Sequence, residues 1–364
     1  MSYSSAALKA PTFFIYCLII LGLLGCSHTA ELTRDAPPDK PINIDYSIIY
    51  YIHADADYLF HDPNGKPVRA NSQVLDTALN VAENARSGEV FIFYQQPEKK
   101  ILALFPRKSS MLYHYTNGEK TTQIKYRYPD GNEDFLATEA QLYNRYHFHS
   151  GDQSLQNYFL YFGHEIPNEE GTNYHQTLPN LRVNTSSFTE GIEHFLSTDQ
   201  KKFDLVVLST CNNGTPAMAY SLAPVANRLL ASPQNLHLSH IDTEGLQLLE
   251  DNPETSARKV AQSVADSTFK RLKKEIQTTI TLAEYDLESV GRYINDLYDR
   301  TTAFQDSTRI NPYRENVDCA QFPFFDAKKY TQGITTWYRP ARFGRNANTM
   351  TQHSGWGCKP ISEN

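Results

Sequence analysis

The sequence contains no Cys-x-x-Cys pair, no glycine-rich phosphate loop, no run of basic residues, no internal repeat and, after residue 45, no low-complexity stretch. These absences exclude a zinc knuckle, a dithiol redox site, a nucleotide cradle and the electrostatic footprint of a nucleic-acid binder. A formal charge of −7 points the same way. Arg339, Arg342 and Arg345 form one small basic cluster, read as a solvated face or a carboxylate partner. Long hydrophobic runs are scarce as well. The one clear stretch, Pro11 to Leu24, is shorter than the ~20 residues a spanning helix needs and close to the 7–15 typical of a secretory signal.

Lys9 precedes that stretch and Leu23-Leu24-Gly25-Cys26 ends it, so residues 1–25 read as an export signal. The Leu-Leu-Gly-Cys run resembles a bacterial lipobox, which implies cleavage before Cys26 and lipidation of its thiol. Ser27, where an aspartate would favour inner-membrane retention, points to outer-membrane sorting, facing the periplasm or the surface. Residues 26–45, with Pro37, Pro38 and Pro41, read as an extended tether. Loss of Lys9 with the signal takes the net charge from −7 to −8. The remaining chain, about 340 residues, is long enough for a substantial core.

Cysteine is sparse, and that makes each one informative. Of five, Cys17 leaves with the signal and Cys26 is taken by lipid. In an oxidising envelope two of Cys211, Cys319 and Cys358 can pair. Cys319 and Cys358 lie together near the C-terminus, and pairing them leaves Cys211 as a thiol. The alternative, with Cys211 paired, would end any enzyme reading.

Cys211 follows Phe203-Asp204-Leu205-Val206-Val207-Leu208-Ser209-Thr210, whose unbroken apolar centre reads as a strand buried on both faces. Thr215 and Pro216 then open a helix predicted over 216–230. A thiol at the carboxyl end of such a strand lies where α/β sheets hold ligands and where its pKa is lowered. Upstream, Ile44–Ile52 and Glu89–Tyr94 read as strands joined by a helix over 71–85, capped by Asn71 or Ser72, which is a parallel crossover. Residues 101–128 read as paired strands around an Asn117-Gly118 turn. Tyr158–Phe162 is a third sheet strand, ending at Gly163-His164-Glu165. Helices are predicted over 187–196, 254–277 and 287–298, and strands over 278–286 and 333–339. His164 and Cys211, each at the end of an apolar strand, would meet at one sheet edge. His147 and His149 have no third ligand at metal spacing. His53, His61, Asp55 and Asp57 follow the first strand and read as pocket lining.

These segments resemble the clostripain family of cysteine peptidases. The likeness rests on Tyr161-Phe162-Gly163-His164, on Lys202 to Leu208 followed by Cys211, on Ala219 to Pro224 with Ala226 and Leu230-Ala231-Ser232, and on Thr279 to Leu287. It implies a caspase-like α/β fold: a mostly parallel central sheet with helices on both faces over 46–250, completed by 251–364 with its disulfide. It also implies Cys211 as nucleophile, His164 as general acid/base, and an oxyanion site near Gly163, Glu165 and Thr210. P1 would be arginine or lysine. The chain departs from the family in Glu165, where relatives carry glycine, in Ser209, where they carry an acidic residue, and in Pro233-Gln234 for Glu-Glu. Asp242 and Glu244 read either as a solvated loop or as the replacements, and Ser209, Asp55 and Asp57 are placed with them as candidate substrate-binding residues. Relatives include calcium-dependent members, but no calcium loop or cleavage site is recognisable here. The expected partner is a peptide or protein. A catalytically inactive module binding an envelope protein is the alternative, and a redox lipoprotein is the weaker third.

Overall fold

The computed structural model describes residues 44–54, 59–62, 64–96, 99–101, 105–107, 110–126, 134–147, 155–168, 183–197, 200–236, 238–308, 317–344 and 351–358. The signal segment, nearly all of the tether, Cys26, Asp55, Asp57, His149 and Arg345 lie outside them. Among the described residues no helix is long and apolar enough to cross a membrane.

Nine strands make one sheet. In chain order they are β1 (Tyr46–His53), β4 (Gly88–Gln95), β7 (Ser110–Thr116), β8 (Glu119–Tyr126), β9 (Gln156–Phe162), β10 (Leu205–Ser209), β11 (Arg228–Ala231), β12 (Ile280–Asp286) and β13 (Ile334–Arg339). Among the described residues there are also two short hairpins: β2 (Leu59–His61) with β3 (Pro67–Arg69), and β5 (Lys99–Ile101) with β6 (Phe105–Arg107). The sheet order is β13-β12-β11-β10-β9-β1-β4-β7-β8. The central five, β11 to β4, are parallel. Antiparallel pairs flank them on both sides.

The continuous apolar strands explain this order. All eight residues of β1 and all five of β10 are buried, which only a sheet covered on both faces allows. Helices Ala70–Asn84 and Ala257–Glu275 cover one face, packing Val74, Ala78, Val260 and Val264 on Ile48, Leu160 and Val207. The other face is aromatic, with Phe159 against Phe195, Tyr161 against Phe188 and Phe91 against Tyr143. Each such fully buried side chain contributes roughly 1.5–3 kcal/mol.

Three local expectations need correction. Helix Ala70–Asn84 begins one residue early, with Arg69 rather than Asn71 or Ser72 at its N-cap. The helix after Cys211 stops at Leu222, and Arg228–Ala231 forms β11. Pro224 lacks the N–H that a further turn needs, and the short Leu-Leu-Ala run fills the gap between β10 and β12. The helix expected over 287–298 is two, Leu287–Gly291 and Ile294–Thr308.

Candidate active site

Sheet register fixes the site. β9 and β10 are adjacent and parallel, and their last paired residues are Phe162 and Ser209. Both chains continue for two residues, to His164 and Cys211, from strands ~4.8 Å apart. His164 is exposed and Cys211 half-buried. The Cys211 thiol donates to the Leu236 carbonyl at 3.3 Å. Cys319 and Cys358 form the disulfide, so Cys211 stays a thiol and the alternative pairing falls.

Two asparagines that sequence reasoning overlooked lace the two strand ends together. Asn212, held in the left-handed region at φ 53°, donates to a Glu165 carboxylate oxygen at 2.8 Å and to Asn235 at 3.1 Å. Asn213 accepts from the Ile166 N–H at 3.0 Å and donates to the Ile166 carbonyl at 2.8 Å. The Thr210 hydroxyl donates to the same Asn213 side chain at 2.6 Å. Thr215 caps the helix that follows by accepting from the Met218 N–H, with Pro216 in the first turn, as the sequence predicts. Asn212-Asn213-Gly214 carried a turn signal, but its bonding to residues 165–166 depends on strand register.

The chain is similar to a secreted C11 cysteine protease ("iotapain") from Bacteroides thetaiotaomicron, with 12% identity, TM-score 0.54, and 87% of this chain and 93% of that one covered. It is equally similar to an inactive zymogen C11 protease from Parabacteroides distasonis, with 11% identity, TM-score 0.54, and 89% and 94% covered. This is the fold of the C11, clostripain-type proteases. No protein-family model and no curated protein matches the sequence.

Within this C11-type frame the other expected site residues divide. Gly163 donates its N–H to the Ser209 carbonyl at 3.4 Å. It is glycine because a Cβ there would lie 2.5 Å from the Tyr161 hydroxyl. Ser209 is fully buried, donates to the Leu238 carbonyl at 2.9 Å and accepts from the Ile241 N–H at 3.3 Å, so its hydroxyl is spent on the chain. Gln234 is buried and hydrogen-bonded to Thr281. Asp242 caps the turn Thr243–Gln247 and lies 3.7 Å from the Arg271 guanidinium. With Glu244, Phe162 and Ile241 it walls a cavity of about 110 Å³. His53 is buried beside Tyr161, its ring edge-on to His164 at 6.3 Å. His147 is a structural partner of Glu89. Among the described residues no group of three His, Cys, Asp or Glu could hold a metal ion.

Proposed function

We propose that the protein is a clostripain-like cysteine endopeptidase with Cys211 as nucleophile and His164 as general acid/base. The observation that carries this reading is the Phe162–Ser209 register, which ends two adjacent parallel strands in an exposed imidazole and a thiol. In the reaction, the Cys211 thiolate adds to the peptide carbonyl and the new C–S bond leaves an oxyanion. Backbone N–H groups of Cys211 and of His164–Glu165 are the donors this reading assigns to it. Collapse breaks the C–N bond, and the His164 imidazolium passes its proton to the departing amine. The neutral imidazole then takes a proton from water, whose oxygen attacks the thioester and releases the acid and the thiolate.

P1 is read as arginine or lysine. Asp242 is engaged by Arg271, so the charge for that side chain falls to the exposed Glu244. Cys26 is assigned as a lipid anchor in the bacterial envelope, in the outer membrane. One observation favours a second reading, an inactive module that binds a peptide: the Glu165 carboxylate is hydrogen-bonded to Asn212, immediately after the thiol, where it opposes a growing negative charge.

A positional peptide library tests both. Cleavage with an Arg or Lys preference supports the peptidase. No cleavage, with equal iodoacetamide labelling of Cys211 in the wild type and His164→Ala, supports the binder.

A further inference from the structure

Residues 351–358 form a strap that packs against the loop behind the thiol. Cys358 anchors it to Cys319, 39 residues away in sequence. Backbone bonds flank that link, from the Cys319 N–H to the Trp356 carbonyl at 3.3 Å and from the Cys358 N–H to the Val317 carbonyl at 3.0 Å. Asp318 accepts from the Ser354 N–H at 3.0 Å and from its hydroxyl. Trp356 is 0% exposed. Its indole N–H donates to the Tyr330 carbonyl at 2.7 Å, and its ring lies 4.7 Å from Tyr285, whose hydroxyl donates to the Gly355 carbonyl. The strap is therefore held rigidly from several sides.

The strap reaches the loop that follows Cys211. The Gly357 N–H donates to the Gly214 carbonyl at 3.2 Å. Gly214 in turn donates to the Ser232 carbonyl at 2.8 Å, and Asn212 to the Gln234 carbonyl at 2.9 Å. The three backbones are in direct contact, with the Tyr285 hydroxyl also against Gly214. A Cβ on Gly357 would lie 2.5 Å from the Pro233 carbonyl oxygen, and one on Gly214 would lie 2.6 Å from the Pro233 nitrogen. The same 232–236 segment supplies the Leu236 carbonyl that takes the Cys211 thiol hydrogen bond. Close-packed backbones transmit a displacement rather than absorb it.

We infer that the disulfide-closed strap positions the nucleophile, with Trp356 and Gly357 as positioning residues that act on Cys211 through Gly214 and the 232–236 segment. The inference rests on the peptidase reading for its kinetic consequence, but not for its effect on the thiol. A shift of ~1 Å at a reacting group costs about 10²-fold, so release of the strap lowers kcat by roughly 10- to 100-fold and leaves KM within about twofold.

The test compares full-length wild type with Gly357→Ala, the double variant Cys319→Ser/Cys358→Ser, and Gly291→Ala, a control whose added methyl meets no atom within 4 Å. Iodoacetamide labelling of the Cys211 peptide is followed by mass spectrometry across pH, and kcat and KM are measured on the best library peptide. The expected result is a Cys211 labelling rate changed about tenfold, with a displaced pH profile, in both strap variants and not in the control. Cooperatively folding strap variants that label like the wild type would overturn the inference and leave the strap a stability clamp only. If both strap variants fail to fold, Trp356→Phe, which keeps a buried ring and removes the indole N–H, decides by the same readout. A wild type that labels as an ordinary thiol and cleaves nothing sinks the peptidase reading instead. The strap is then judged on whether the variants' labelling rates depart from the wild-type rate.

Discussion

Two assemblies of histidine and carboxylate occupy opposite ends of the parallel strands, and they are built to different ends. At the start of β4, Glu89 is 0% exposed and bonded to both His114 and His147. His114 is bonded at its other nitrogen by Thr121 at 2.9 Å. Rings of Phe91 and Tyr143 stack on the two imidazoles. Burial alone would raise the Glu89 pKa. The hydrogen bonds from His114 and His147 outweigh it and hold the carboxyl below its ordinary range. At the other end, just past β9 and β10, His164 is exposed and Glu165 partly so, both on loops. A satisfied, dry cluster fixes neighbouring elements, whereas proton transfer to a substrate needs an imidazole that the substrate can reach.

The sharpest way to break that contrast is at the thiol. Cys211→Ala is expected to lower kcat/KM by about 10⁴-fold or more while shifting thermal unfolding by no more than a few degrees, because the side chain is half-buried. Hydrolysis that survives this change would move the chemistry elsewhere. His164→Ala comes next, at about 10²–10⁴-fold in kcat/KM, with the pH profile of Cys211 alkylation altered. His114→Ala leaves both kinetic readouts unchanged and lowers the melting temperature instead. Equal kinetic losses in the two histidine variants would erase the distinction between the assemblies.

Glu89→Ala tests the buried assembly on its own terms. Removing one partner of a buried charged network costs about 3–5 kcal/mol, read as a loss in denaturant or thermal stability with Cys211 labelling intact. The pH dependence has a definite sign. A carboxyl whose folded pKa is depressed contributes stability that is fully present above its unfolded value, ~4.3, and is lost as pH falls toward the folded value. The gap between wild type and Glu89→Ala is therefore widest near neutrality and narrows below about pH 4 to 5. A gap that widens in acid would contradict the assignment.

The rim was more legible in the sequence than its support. β9 and β10 showed themselves as apolar runs without alternation because both their faces are covered, and Thr215-Pro216 marked the helix start by local chemistry. β11 was hidden because Arg228–Ala231 is only four residues long, and a short apolar run fits a helix as well as a strand. Ser209 and Asp242 suggested substrate ligands because their partners, Leu238, Ile241 and Arg271, lie about 30 residues away in sequence. The lacing by Asn212 and Asn213 joins loops 47 residues apart, a pairing that no local pattern encodes. The disulfide was reachable by counting cysteines. The contact its strap makes with Gly214 was not.

The smallest expected effect tests whether Glu165 belongs to the rim's chemistry or only to its scaffold. Glu165→Gln keeps an oxygen to accept from Asn212 and removes a negative charge beside the thiol. A unit charge several ångströms away in water-like surroundings contributes about 0.5 kcal/mol, roughly twofold in rate. The carboxylate is partly exposed, so salt screens it further. The change is therefore expected to raise kcat/KM about twofold at low ionic strength, with the gain vanishing near 1 M salt and stability altered by less than about 1 kcal/mol. A tenfold fall carried by KM would instead assign the carboxylate to a basic substrate side chain. The exposed acid at the rim would then be a binding group, and its contrast with the sealed Glu89 would be one of function as well as of burial.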